Sequence, residues 1–180
     1  ENTISGRPCL LFLTEHFNQR NLREIIENKD VKMNDTQKLI NIYGIALAMS
    51  YLHSNDILHY NLNPSNILED DEYHPKIINF GINNIFEKKE LKIFNTIDHS
   101  TLYYAPEFIK NNTYDKSSEV YSFALILYEI VTNRNPFLGI TLNKHLNNIS
   151  NKKRPPLNDN IPKPYRNLIE RCWSESKYQK

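Results

Sequence analysis

Four asparagines in two short runs carry the most pointed chemical pattern in this chain. Asn61, Asn63 and Asn66 fall within His59-Tyr60-Asn61-Leu62-Asn63-Pro64-Ser65-Asn66-Ile67-Leu68, and Asn79 opens Asn79-Phe80-Gly81. A carboxamide can hold a hydroxyl by hydrogen bond or lend its oxygen to a cation. It lacks the basicity of a carboxylate, so Asn61 can position a hydroxyl but cannot take its proton as a general base. An amide oxygen also coordinates a hard divalent ion without neutralising its charge. The six histidines include no H-E-x-x-H pattern and no Cys/His cluster, which argues against a zinc site.

The elements that must position these residues are readable from hydrophobic spacing. Cys9 to Thr14 reads as a short buried strand, being continuous, apolar and too short for a helix. Leu22 to Glu27 reads as a short helix with Leu22, Ile25 and Ile26 on one face. Asn34 or Asp35 can cap a second helix over Thr36 to Ser54. Its expected apolar face is Leu39, Ile42, Tyr43, Ala46, Met49, Ser50 and His53. Asp70-Asp71-Glu72 marks a hairpin tip between Ile67-Leu68 and a returning strand at Lys76-Ile77-Ile78. Residues 81 to 105 show no firm period and read as a long functional loop. Glu119 to Thr132 is apolar on nearly all sides, the mark of a helix at the centre of a domain. Weaker helices are expected over Asn143 to Ile149 and over Tyr165 to Trp173, the latter through Leu168, Ile169 and Cys172.

Composition sets the class. The 180 residues, 39% hydrophobic and 24% charged, suffice for one ordinary globular core. A net charge of +1 offers no field for steering nucleic acid, and no nucleic-acid motif is present. No apolar run approaches the roughly 18 residues of a membrane span. The polar start Glu1 to Gly6 is not a signal peptide. Cys9 and Cys172 fit a reducing compartment, so the expectation is a cytoplasmic protein with no membrane or nucleic-acid partner.

Seven blocks occur in the order of the C-terminal lobe of a protein kinase. Thr14-Glu15-His16-Phe17 resembles the gatekeeper and hinge. The run from His59 to Leu68 resembles the catalytic loop H-R-D-L-K-x-x-N, and Asn79-Phe80-Gly81 resembles D-F-G. Ala105-Pro106-Glu107 is the A-P-E triplet. Glu119-Val120-Tyr121-Ser122-Phe123 resembles the start of the family's central helix. Asn135-Pro136-Phe137 and Arg171-Cys172-Trp173 resemble later landmarks of the tyrosine-kinase-like group. Any one triplet is weak; seven in order are specific.

The resemblance implies a mainly α (α+β) protein kinase-like fold, with short β-hairpins and the N-terminal lobe largely absent. Residues 1–21 would be the end of that lobe and the hinge, and 22–180 the C-terminal lobe. It places Thr14, Glu15, Phe17 and Leu68 around an adenine ring. Asn61 stands at the position of the catalytic Asp, Asn63 at the loop Lys, and Asn66 and Asn79 at the metal ligands. Tyr60 replaces the Arg that reads activation-loop phosphate. His59 and Phe80 match packing positions of the regulatory spine, and Glu119 the acid that caps the catalytic-loop backbone. Glu107 is expected to lack its buried arginine partner, because the chain stops at Lys180. No G-x-G pair or strand Lys precedes the hinge. Positions for packing match and positions for ionic chemistry do not. The expectation is a pseudokinase that works through protein partners, with ATP binding open and Mg²⁺ weak or absent. The alternative is an active Ser/Thr kinase of the tyrosine-kinase-like group.

Overall fold

The computed structural model describes residues 20–81 and 99–174, together with the backbone of two short strands ahead of them. Those strands, β1 (Thr3–Ile4) and β2 (Arg7–Pro8), pair antiparallel. The expected strand at Cys9–Thr14 and the hinge positions Thr14, Glu15 and Phe17 lie outside the described residues, as do residues 82–98 of the long loop. The described remainder is mostly helical: α1 (Leu22–Glu27), α2 (Asp35–Ser54), α3 (Pro106–Asn111), α4 (Lys116–Thr132), α5 (Leu142–Ser150) and α6 (Lys163–Cys172). One more antiparallel hairpin, β3 (Ile67–Glu69) with β4 (Pro75–Ile77), sits between α2 and α3.

α4 is the axis of the core. Its Ala124, Leu125, Ile126, Leu127 and Ile130 are almost completely buried, and α2 and α6 pack against it. The helix begins three residues before the apolar pattern suggests. Asp115 accepts from the backbone N–H of Ser117 (2.9 Å) and Ser118 (3.2 Å), and this capping box starts the helix at a polar turn that hydrophobic spacing does not register. α3, which has no apolar period of its own, starts at Pro106, where a missing N–H costs nothing.

α2 is held at its start by a capping box in which Asn34 and Gln37 exchange side-chain-to-backbone bonds of 2.8 and 2.9 Å. Its buried face is Asn41, Ile42, Ile45, Met49 and Leu52. The expected face is corrected here: Ile42 and Met49 are buried, whereas Leu39, Tyr43, Ala46 and Ser50 are exposed. The helix is apolar over most of its circumference, so periodicity alone does not choose a face. The hairpin chooses it. Pro75 of β4 lies directly over Gly44, where an added Cβ would stand 2.6 Å from the proline Cγ and 2.9 Å from its Cδ. Asn41, on the same side, donates to the Tyr73 carbonyl at 3.0 Å.

Gly44→Ala therefore sets two effects against each other. Alanine favours a helix interior by about 1 kcal/mol over glycine, while overpacking costs about 1–3 kcal/mol. A rigid proline ring cannot rotate away from the new methyl, so the clash prevails. The expected outcome is a net loss of roughly 1–2 kcal/mol in urea unfolding, recovered when Pro75→Ala is added. A more stable single variant would contradict this contact.

Candidate functional site

The loop between α2 and β3 is organised by its asparagines. Asn63 caps the 3-10 turn Pro64–Asn66, its Oδ1 accepting from the Ser65 N–H at 2.9 Å. Its Nδ2 donates to both the carbonyl and the side-chain oxygen of Asn61, each at 2.9 Å. Asn66 donates through Nδ2 to the same Asn61 carbonyl at 2.8 Å, which turns its own Oδ1 toward Asn79. Asn79 Nδ2 then donates to that Oδ1 at 3.0 Å. The four amides expected at this site are thus brought together in one chain of hydrogen bonds. Asn79 sits at φ 63°, a left-handed conformation that asparagine tolerates better than most residues.

Around this network the loop is fastened to the helices. His59 is fully buried, and burial pushes its pKa below the ordinary 6.5, so the ring is neutral. Its Nδ1 accepts from the Asn61 N–H at 3.4 Å. Phe80, for which the same packing role is expected, is 47% exposed. Leu68 is partly buried and bridges to Asn21, while the Glu69 N–H donates to the Arg20 carbonyl at 3.0 Å. These bonds bind the segment entering α1 to β3. Glu107 accepts from the Ser118 hydroxyl at 3.5 Å, tying α3 to the first turn of α4.

Glu119 anchors the loop from below. Its carboxylate, 1% exposed, accepts from the Tyr60 N–H at 2.8 Å, the Tyr114 hydroxyl at 3.1 Å and His53 Nε2 at 2.7 Å. Tyr60 holds φ 67° there. Its ring stacks on Tyr114 at 4.9 Å, and Tyr114 meets Phe108 edge-on, which meets Tyr104 in turn. An aromatic ladder therefore occupies the position expected for an arginine, and the loop is coupled to α3 by ring contacts. Burial, then the neighbouring Glu119, pushes the Tyr114 pKa well above 10, so it remains a donor.

A second cluster lies beside the loop. Glu129 of α4 is fully buried and accepts from the Tyr103 hydroxyl, which also accepts from Arg23 of α1. Arg23 stands 3.6 Å from Glu129 and 3.5 Å from Glu27. Burial pushes the Glu129 carboxyl up to about 7, against the lowering pull of Arg23 and Tyr103. Arg23, Glu27, Tyr103, Ser65, Phe137 and Ile140 are among the residues lining a cavity of about 600 Å³. No short motif announces this cluster, because Arg23 and Tyr103 are 80 residues apart in sequence. His53 escapes sequence reasoning for the same reason, being 66 residues from Glu119, and Tyr114, though only five residues away, carries no motif that announces its bond.

The protein tyrosine and serine/threonine kinase family matches this chain over residues 3–180. The chain belongs to that family. It is 35% identical over 172 residues to serine/threonine-protein kinase 12 of Arabidopsis thaliana, covering 92% of this chain and 37% of that protein. It is 31% identical over 171 residues to the serine/threonine/tyrosine-protein kinase HT1 of the same plant, covering 94% and 43%. A relative in Acanthamoeba polyphaga mimivirus is 32% identical over 169 residues, covering 93% of this chain and 10% of its own length. The chain thus spans between about a tenth and two fifths of these relatives. Among the described residues no helix is long and apolar enough to cross a membrane.

Proposed function

We propose that this chain is the C-terminal lobe of a pseudokinase, a protein-interaction or allosteric signalling module in which phosphotransfer has been lost. Residues 1–21 are read as the end of the other lobe and the hinge, and 22–180 as the lobe that carries the loop. The observation that carries this reading is the hydrogen bond from Asn79 to Asn66. Both stand where the family holds its divalent ions, yet they face each other donor to acceptor. The donor set does not fit Mg²⁺, which favours charged oxygen ligands in a near-octahedral shell. Two neutral amides supply no charge, and one already engages the other's oxygen.

Asn61 extends the argument to proton transfer. Its carbonyl and its side-chain oxygen are both occupied by neighbouring amide N–H groups, and neither is basic enough to accept a hydroxyl proton. Loss of a general base typically removes about 10²–10⁴-fold in rate. Asn63, in place of a lysine, adds no cation to steady a transferring phosphate. The three positions serve different steps, so no one compensation restores them all. Protein partners and a cytoplasmic location go with this reading, and nucleotide, where it binds, does so with little or no help from a metal.

The names of the plant relatives favour a second reading, an active Ser/Thr kinase that binds ATP. Phosphotransfer decides between them. The full-length protein, given Mg²⁺-ATP or Mn²⁺-ATP and a generic protein substrate, is expected to transfer no phosphate above the enzyme-free blank. Robust transfer that disappears on Asn61→Ala would establish the second reading. Melting with ATP, with and without metal, supplies the other arm, because a ligand that binds the folded state raises Tm. A shift that requires metal would contradict the account of Asn79.

A further inference from the structure

The outer face of α2 is anomalous for a helix in contact with water. From Leu39 to Leu52 it carries no Asp, Glu, Lys or Arg, in a chain that is 24% charged. Four large side chains recur every fourth residue along it: Leu39 (55% exposed), Tyr43 (68%), Leu47 (59%) and Tyr51 (68%). Beside this row runs a second, of small exposed residues at the same interval: Ala46, Ser50 and Ser54. Ala46, Ser50 and Ser54 also edge a groove of about 540 Å³ floored by Met49, Val120 and Phe123. Large row and small row form one continuous uncharged strip on α2, and the groove beside it is lined also by His53, Lys116 and Glu119. A helix side facing solvent ordinarily carries charge.

We propose that this surface is a two-fold dimer interface, its occupant the same α2 face of a second copy of the chain. The sequence order of the ridge carries the argument. It reads Leu, Tyr, Leu, Tyr at equal spacing, so antiparallel pairing about the level of Ile45 sets every tyrosine against a leucine. Leu39 meets Tyr51 of the second copy, and Tyr43 meets Leu47. Self-complementarity about an axis is what an isologous interface requires. Rows spaced four apart also interdigitate with like rows of another helix, and the small row beside the large one leaves the furrow the other copy's large row would enter. Along α2 itself, charge is confined to the ends. Asp35 lies 4.0 Å from Lys38, and Asp56 lies 2.6 Å from Lys116. The pairing gives an apolar centre and a polar rim.

Area sets the strength. A tyrosine presents roughly 150–250 Å² when fully exposed, so the two at 68% offer roughly 200–340 Å², about half of a patch on the order of 500 Å² per copy with the two leucines added. Doubled, this falls just below the roughly 1,200–2,000 Å² of a standard specific interface. The dimer is accordingly a weak one, governed by concentration.

Sedimentation equilibrium of the full chain tests this. The weight-average mass is expected to climb from monomer toward dimer between roughly 1 and 100 µM. Leu47→Glu is expected to weaken association at least tenfold without lowering Tm, because the side chain is exposed in the monomer. Adding Tyr43→Lys to Leu47→Glu sets opposite charges across each Tyr43–Leu47 pair and is expected to recover association. Leu138→Glu, at an exposed leucine on another face, leaves the mass unchanged. A mass that stays monomeric throughout, that ignores Leu47→Glu, or that the added Tyr43→Lys does not recover overturns the proposal. The readout is independent of nucleotide and of phosphotransfer, so its failure and that of the pseudokinase reading are separable.

Discussion

Glu119→Ala is expected to destabilise the protein by about 3–5 kcal/mol, the usual consequence of deleting one partner from a buried charged network. The carboxylate is 1% exposed and satisfies three donors that no other acceptor approaches as closely: the Tyr60 N–H, the Tyr114 hydroxyl and His53 Nε2. Alanine leaves all three with no protein acceptor, the Tyr60 N–H and the Tyr114 hydroxyl in a part-buried setting. Two of them belong to the loop and to the aromatic ladder that braces it, so the loss is local as well as global. Hydrogen exchange across residues 59–66 is expected to accelerate along with the fall in stability. Glu119→Gln keeps one acceptor oxygen but turns an N–H toward His53, and its loss is expected to be smaller, about 1–3 kcal/mol. Urea unfolding at neutral pH measures both. A loss under about 1 kcal/mol for the alanine variant would mean that the loop is held by something other than this carboxylate.

The second effect is expected at Arg23, and it depends on pH. Burial raises the Glu129 carboxyl from its ordinary 4.5 to about 7, with Arg23 pulling in the opposite direction. A carboxyl raised in the fold contributes stability that is fully present below pH 4.5 and is lost as pH rises through about 7. Removing Arg23 takes away the leading charge that lowers this pKa. The carboxyl then climbs further, and the loss of stability continues to higher pH. Arg23→Ala is therefore expected to be mild at pH 5, where Glu129 is protonated with or without the arginine. At pH 8, about one unit above the Glu129 value of about 7, the arginine's pull on the ionised carboxylate is lost, and linkage adds at most about 1.4 kcal/mol to the cost. Melting of both proteins at the two pH values reads the difference. Equal gaps would show that Arg23 acts through packing of its stem alone.

Both predictions rest mainly on partners far apart in sequence, and that is where reading along the chain stops. Local signals served well where the cause was local. The helix at Leu22–Glu27 is legible because its three apolar residues share one face and Asn21 caps it. The hairpin is legible because Asp70 closes its own turn, accepting from the backbone N–H groups of Glu72 and His74. The face of α2 is not legible. A helix apolar over most of its circumference contains several equally good stripes, and the choice is made by Pro75 settling on Gly44.

The candidate site divides in the same way. Residue types alone determine that Asn61, Asn63, Asn66 and Asn79 are neutral, that no base or strong metal ligand stands among them, and that the surrounding motifs are those of a kinase lobe. Those conclusions need only side-chain chemistry and order along the chain. The tertiary structure decides that the four amides bond to one another, because their oxygens are oriented by backbone carbonyls and N–H groups that only the folded loop presents. It also decides that Tyr60 stacks on Tyr114, that Glu119 gathers three donors, and that Leu39, Tyr43, Leu47 and Tyr51 face outward. Each of these depends on which surfaces meet across long sequence separations, and burial, unlike residue type, is a property of the assembled fold.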